Sequence, residues 1–200
     1  MNYSQTGAAI VLAWLTFPIM FALIARRSKN AERRRDPVSL LGMFLQFAPY
    51  PFMVALRREP GSPIVPVPAE YNELVQNVVN ITAVGLVWFS VVLTFTALKA
   101  LGRHWNLAAR VVEGHKLVRS GPYRFVRHPI YTSMICVNVS GALAFSRWEM
   151  AIAVVVLSAV GTWIRVRSED RLMNETFGTE FKTYAASVPA VIPWFRLRAS

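Results

Sequence analysis

The run VVNITAVGLVWFSVVLTFTAL, Val78 to Leu98, decides the fold. It carries no charge and is rich in Val, Leu, Phe and Thr. A helix crosses the hydrocarbon core with about twenty mostly apolar residues, and this run has that length. Four further apolar stretches lie around it. Thr6 to Ala25 ends at Arg26, Arg27 and Lys29, with Pro18 as a kink point. Val38 to Leu56 lies between Arg33, Arg34, Arg35 and the pair Arg57, Arg58, and Pro49 and Pro51 predict a bend or break near its far end. Ile130 to Ser146 and Trp148 to Ile164 are shorter and divided only around Ser146, Arg147 and Trp148, as in an αα-hairpin that enters and leaves by one face. The expected fold class is all-α: a polytopic membrane helix bundle of about five transmembrane helices. Residues 1–200 read as one integral membrane unit, with three spans in 1–98 and the polar, chemistry-bearing half in 99–200.

Composition agrees. Hydrophobic residues make up 54% of the 200 and charged residues 16%, against about a quarter charged in soluble domains. The deficit is gathered into long uncharged runs, which points to a bilayer. The net charge of +11 raises nucleic acid as a partner, but the charges cluster beside apolar runs and no nucleic-acid motif is present. The single cysteine, Cys136, supports neither a disulfide framework nor a zinc knuckle and reads as a packing residue. A basic cluster follows the first apolar run with no small-residue cleavage site, so that run is expected to be retained as a span.

Charge asymmetry sets the orientation. With the first loop in the cytoplasm, that side holds six basic residues there, seven between the third and fourth spans and six after the fifth. The other side keeps Arg57, Arg58 and Arg147. The positive-inside rule then puts the N-terminus outside and the C-terminus cytoplasmic, with a bacterial inner membrane as the expected location. Pro60, Pro63, Pro66 and Pro68 give the outer connector an extended, stiff backbone.

Polar information concentrates in two cytoplasmic stretches. The first runs from His115 to Tyr131, with a turn at Ser120-Gly121-Pro122 and Pro129 suited to the first turn of the fourth span. The second begins at Arg165, with Arg165 and Glu169 on one helix face, a stop at Gly178, and a short amphipathic helix after it. Plainer readings stand beside these. Arg165 and Arg167 could snorkel at a helix end. Arg165 and Glu169 could be a surface ion pair of about 0.3–0.5 kcal/mol. Arg127 could be one more topology charge, His128 a packed interfacial histidine, and Tyr123 and Tyr131 members of an aromatic belt with Trp105, Trp148, Trp163 and Trp194. His104, His115 and His128 have no metal-ligand spacing, so no metal is expected.

The pattern His115-x-Leu-Val-x-x-Gly121-x-Tyr123-x-x-x-Arg127-His128-Pro129-x-Tyr131 resembles the isoprenylcysteine carboxyl methyltransferase family, which is similar in this region to phospholipid methyltransferases. So do Arg165-x-x-x-Glu169, Phe177-Gly178-x-x-Phe181-x-x-Tyr184 and Val188-Pro189-x-x-Ile192-Pro193. The motifs span about residues 102 to 194. The resemblance implies an S-adenosyl-L-methionine cofactor, with contacts at His115, Lys116, Leu117, Val118, Tyr123, His128, Pro129, Ile130, Tyr131 and Glu169. It also sets Arg165 toward a carboxylate acceptor, which makes Arg165 and Glu169 the expected catalytic pair. Asp170 stands where the family often has a second glutamate, and Phe181 where it often has tyrosine.

The implied reaction is methyl transfer to the carboxylate of a lipid-linked or hydrophobic acceptor, with the bilayer as the other partner. One alternative is a phospholipid N-methyltransferase, in which Glu169 would serve as general base. A second is a membrane protein that binds the cofactor without catalysis. Oligomeric state is open on this reading.

Overall fold

The computed structural model describes residues 3–25, 37–55, 57, 59, 68–102 and 117–193, and among them every regular element is helical. The α-helices are α1 (Tyr3–Ala25), α2 (Pro37–Phe47), α3 (Pro49–Ala55), α4 (Ala69–Leu101), α5 (Pro129–Phe145), α6 (Trp148–Phe177) and α7 (Thr179–Ser187), with a 3-10 turn at Gly121–Arg124 before α5. Each of the five apolar stretches is helical. α4 and α6 are each long and apolar enough to cross a membrane, while the apolar parts of α1 and α5 are shorter.

Local chemistry explains the boundaries. α1 runs on through Pro18. The second apolar stretch is broken as expected: α2 ends at Phe47 and α3 opens at Pro49. Proline has no N–H, so Pro49 and Pro51 leave the carbonyls of Leu45 and Phe47 without their helical donors. α4 starts well before Val78, behind Pro68 in an extended conformation (φ −52°, ψ 143°). The other three prolines expected to stiffen this connector lie outside the described residues. α6 likewise passes the expected exit at Ile164 and continues to Phe177, where Gly178 stops it at φ 52°. The short helix expected after Gly178 is α7.

The bundle is inverted relative to a soluble protein. α4 packs on α1 and α5, and α6 packs on α2 and α5. The buried apolar side chains between them are mostly small: Ala13, Ala83, Val87 and Ala144 around Ile10, and Ala142 and Val154 beside Met53. Polar groups join the helices inside. Thr94 and Ser133 share a hydrogen bond of 2.6 Å between α4 and α5, and the Ser140 hydroxyl donates to the Ala83 carbonyl at 2.6 Å. Asn138 donates to Ser158 at 2.5 Å and to the Gln46 carbonyl at 3.2 Å, tying α5 to α6 and α2. Leu15, Ile19, Ile81, Phe89, Val92, Phe95, Ile152 and Val156 point outward. Small residues and hydrogen bonds inside, with large apolar side chains outside, are what helix packing in lipid selects.

The tightest contact is between α2 and α6. A Cβ on Gly42 would fall 2.6 Å from Arg165 Cγ and 2.7 Å from the Gly161 carbonyl oxygen, and one on Gly161 would fall 2.7 Å from the Gly42 carbonyl oxygen. The two backbones therefore touch, and only glycine permits it. Gly161→Ala should lower stability in detergent by about 1–3 kcal/mol through overpacking. Gly85, with nothing within 4 Å of its added Cβ, is the control. Gly85→Ala should be neutral or stabilising by up to about 1 kcal/mol, since alanine is the better helix former. Chemical denaturation of the two variants measures both.

Candidate functional site between the start of α5 and the end of α6

The segment before α5 is shaped by a short series of local constraints. Gly121 sits at φ 60°, a left-handed position that favours glycine, and starts the 3-10 turn in which Pro122 fixes its own φ. The Phe125 and Val126 amides close the turn onto the Pro122 carbonyl. Tyr123 is buried within it, and the Tyr184 hydroxyl of α7 donates to its carbonyl at 2.5 Å. The chain then runs extended: the Arg127 amide donates to the Pro189 carbonyl at 2.8 Å and the His128 amide to the Ala190 carbonyl at 2.9 Å. Residues after α7 thus lie along residues 127–128 like a strap. Pro129 occupies the first position of α5, as expected.

This route delivers Arg127, His128 and Tyr131 to two adjacent carboxylates on α6. His128 Nδ1 lies 3.1 Å from one Glu169 oxygen and Nε2 lies 2.8 Å from an Asp170 oxygen. The Tyr131 hydroxyl donates to the second Glu169 oxygen at 2.5 Å, and Arg127 Nη2 donates to the second Asp170 oxygen at 2.7 Å. Arg127 Nη1 donates to the Val188 and Ala185 carbonyls at 2.5 and 3.2 Å, so it also fastens the strap. The His128 and Tyr131 rings are stacked at 5.5 Å, and the Arg165 guanidinium lies over the Tyr131 ring at 4.5 Å. Arg165 is buried, and its Nη1 donates to Gln46 Oε1 on α2 at 3.1 Å.

The electrostatics follow from this geometry. A neutral imidazole donates from one nitrogen only, yet both nitrogens of His128 face carboxylate oxygens, so the ring must be the imidazolium. Burial opposes that charge, but the hydrogen bonds to Asp170 and Glu169 outweigh it and raise the His128 pKa from 6.5 to about 9. Burial likewise opposes charge on Glu169 and Asp170. His128 outweighs it in both, aided by Tyr131 and Arg165 at Glu169 and by Arg127 at Asp170, and both fall below their ordinary values. Tyr123 is raised well above the phenol range, first by burial and then by the charge of Glu169. Tyr184 is pushed up to about 12 by burial.

The structure brings Tyr123, His128, Pro129, Ile130, Tyr131, Arg165 and Glu169 into one neighbourhood, with Leu117 and Val118 half-buried on non-helical backbone leading into it. His115 and Lys116 lie outside the described residues. Several of the plainer readings are corrected. Arg127 has a side chain 3% exposed and locked to Asp170, too deep for a topology charge. Tyr123 and Tyr131 are buried, so neither belongs to an aromatic belt. Trp148 and Trp163 are exposed, as a belt requires. Arg165 with Glu169 is no surface ion pair: Arg165 is turned into the bundle, and Glu169 is clasped by His128 and Tyr131.

The residues present suit S-adenosyl-L-methionine. Glu169 keeps 24% of its side chain exposed, and each carboxylate oxygen has a second lone pair for an ammonium group. Leu117 and Val118 lie outside any helix ladder, where backbone groups can meet an adenine edge. No group of three or more His, Cys, Asp or Glu residues that could hold a metal ion occurs among the described residues.

Comparison with known families joins this geometry to a lineage. Residues 83–175 match the isoprenylcysteine carboxyl methyltransferase (ICMT) family, a stretch that contains α5, nearly all of α6 and the whole carboxylate cluster. The chain is 30% identical over 105 residues to protein-S-isoprenylcysteine O-methyltransferase B of Arabidopsis thaliana, covering 52% of this chain and 53% of that one. It is 31% identical over 84 residues to the uncharacterized protein YpbQ of Bacillus subtilis, covering 42% and 50%. It is 35% identical over 104 residues to the cobalt-zinc-cadmium resistance protein CzcN of Cupriavidus metallidurans, covering 48% and 45%. The chain thus spans about half the length of the curated relatives it matches.

Three residues that the structure bonds into this cluster or to Arg165 had no role in the sequence reading. Asp170 stood only as a substitution for glutamate, although an acid beside Glu169 is the visible signal. Tyr184 was in the motif without a role. Gln46 had one signal, a lone amide in an apolar run, which calls for a hydrogen-bonding partner on a neighbouring helix.

The cluster predicts a pH dependence of stability. His128 holds its proton more firmly folded than unfolded, so its contribution is complete below 6.5 and is lost as the pH rises through about 9. Glu169 and Asp170 titrate lower in the fold, so theirs is present above their ordinary values of 4.5 and 3.8 and is lost on acidification. Thermal melts in detergent should therefore show a plateau between about pH 5 and 6.5 with a falling alkaline limb. His128→Gln should lower the plateau and flatten that limb. Asp170→Asn, which leaves buried Arg127 without its carboxylate, should cost about 3 kcal/mol.

Proposed function

We propose that this chain is an S-adenosyl-L-methionine-dependent integral membrane methyltransferase that esterifies the carboxylate of a lipid-linked or hydrophobic acceptor. The observation that carries the reading is the placement of Arg165: a buried guanidinium one helical turn before Glu169, turned into a bundle whose outer faces are apolar. A cation inside such a bundle is costly unless it has a task and partners. The two Arabidopsis relatives, named for isoprenylcysteine O-methylation, support the same acceptor class. In this reading the five helical stretches cross the membrane, α2 with α3 making one crossing, and the cluster faces the cytoplasm of a bacterial inner membrane.

Roles can then be assigned to this chain's residues. His115, Lys116, Leu117 and Val118 would line the cofactor's adenosine side, and Tyr123, His128, Pro129, Ile130 and Tyr131 the turn beneath it. Glu169 would receive the ammonium group of its methionine portion. When bound, S-adenosyl-L-methionine would supply an electrophilic methyl carbon: a carboxylate oxygen, with no proton to lose, bonds to it as the carbon–sulfur bond breaks and S-adenosylhomocysteine leaves with the electron pair. Arg165 would hold the acceptor carboxylate in line, which lowers the barrier through orientation. A contact that is too tight would blunt the nucleophile, so Arg165 serves alignment more than activation. The apolar helix faces let a lipid-attached acceptor approach sideways and keep water from the reacting groups.

Calorimetry on the detergent-purified protein tests the assignment. S-adenosylhomocysteine should bind saturably in the micromolar range, and Glu169→Ala and Tyr123→Ala should each weaken it at least about tenfold, near 1.4 kcal/mol. Arg165→Ala should cut turnover on a prenylcysteine acceptor by about a hundredfold or more while leaving cofactor affinity within about threefold. Methylation of phosphatidylethanolamine vesicles with no carboxylate acceptor present would favour the amine reading. Cofactor binding with transfer to neither acceptor would favour a non-catalytic protein.

A further inference from the structure

We infer that Gln46, on a helix that lies outside the family-matched residues, positions Arg165 and makes the acceptor site selective for an anion. The inference rests on the methyltransferase reading above and names a determinant of its acceptor class.

Gln46 is 1% exposed in the middle of an apolar run, so its amide must be satisfied within the protein. Its three polar groups all point across helix boundaries. Oε1 accepts from Arg165 Nη1 at 3.1 Å, Nε2 donates to the Thr162 hydroxyl at 2.7 Å, and its backbone carbonyl accepts from Asn138 at 3.2 Å. Thr162 anchors the nitrogen end of the amide, which aims the oxygen at the guanidinium. The approach depends on the glycine pair: Gly42 and Gly161 each precede Gln46 and Arg165 by four residues, one helical turn, on the two touching faces. An ordinary side chain at either position would hold the amide away from Arg165.

The choice of an amide matters because it is neutral. Arg127, His128 and Arg165 face Glu169 and Asp170, so this group of five carries one more positive than negative charge. A carboxylate at position 46 would cancel that excess and occupy the guanidinium with a fixed anion. Glutamine fixes the direction of Arg165 without adding a negative charge that would compete with an acceptor carboxylate. An amine acceptor would gain nothing from this arrangement and would be repelled by it.

The test compares a prenylcysteine free acid with its methyl ester as ligands for wild type, Gln46→Glu and Gln46→Leu. Binding is measured by calorimetry in detergent with S-adenosylhomocysteine saturating. The wild type should prefer the acid by about tenfold or more. Gln46→Glu, which keeps the size of the side chain, should lose that preference, and Gln46→Leu should reduce it. S-adenosylhomocysteine affinity should stay within about threefold throughout, a readout that a merely structural role for Gln46 would not spare. Equal wild-type affinity for acid and ester, or an acid preference retained in Gln46→Glu, overturns the inference and leaves the cofactor site standing. Failure of the wild type to bind S-adenosylhomocysteine overturns the underlying reading, and this inference with it.

Discussion

Glu169 and Asp170 are consecutive residues on α6, and between them they hold the candidate site together. Their four oxygens receive His128 twice, Tyr131 once and Arg127 once. Arg127 in turn holds the carbonyls of Ala185 and Val188. Through that chain of contacts the entrance to α5, the end of α6, and the strap after α7 are joined by charge-assisted hydrogen bonds, the stronger class. Among the described residues the apolar cluster beside the site is small, so these bonds matter to its cohesion. Tyr131, Val166, Ala190 and Val191 form only a small cluster around it.

The same economy appears deeper in the bundle. Where a soluble protein would bury Leu and Phe, this one buries Asn138, Ser158, Gln46 and Thr162 in a bonded row that ends at Arg165. Each of these groups would be expensive if unsatisfied in lipid, so the row specifies how α2, α5 and α6 meet. Packing and chemistry are thereby one arrangement: the contacts that set the helix crossing also set the direction of the guanidinium.

Much of this was legible in the sequence, and the reason is proximity along the chain. The helix at Val78 to Leu98, the break at Pro49 and Pro51, the turn at Gly121, Pro129 opening α5 and Gly178 closing α6 are local consequences of side-chain chemistry. The pair Arg165 and Glu169 could be placed on one face by spacing alone. Burial could not be read that way. Arg127 looked like a topology charge because nothing in its neighbours along the chain reveals Asp170, 43 residues away, beside it. Gln46 and Arg165 are separated by 119 residues, and the close backbone contact of two glycines lets them meet. The helix start at Ala69 was missed, since an apolar run marks where a helix is greasy and not where its hydrogen bonds begin.

Gly161, Thr162, Arg165, Glu169 and Asp170 follow one another on the uninterrupted helix α6, the first three meeting α2 and the last two meeting the entrance to α5. Inserting or deleting one residue in an α-helix turns everything beyond it by about 100°. Such a change between Gly161 and Asp170 would swing both carboxylates away from His128 while the glycine contact stayed in place. The length of this segment therefore cannot drift: the ten residues from Gly161 to Asp170 carry a spacing fixed at one end by backbone contact and at the other by ion pairs.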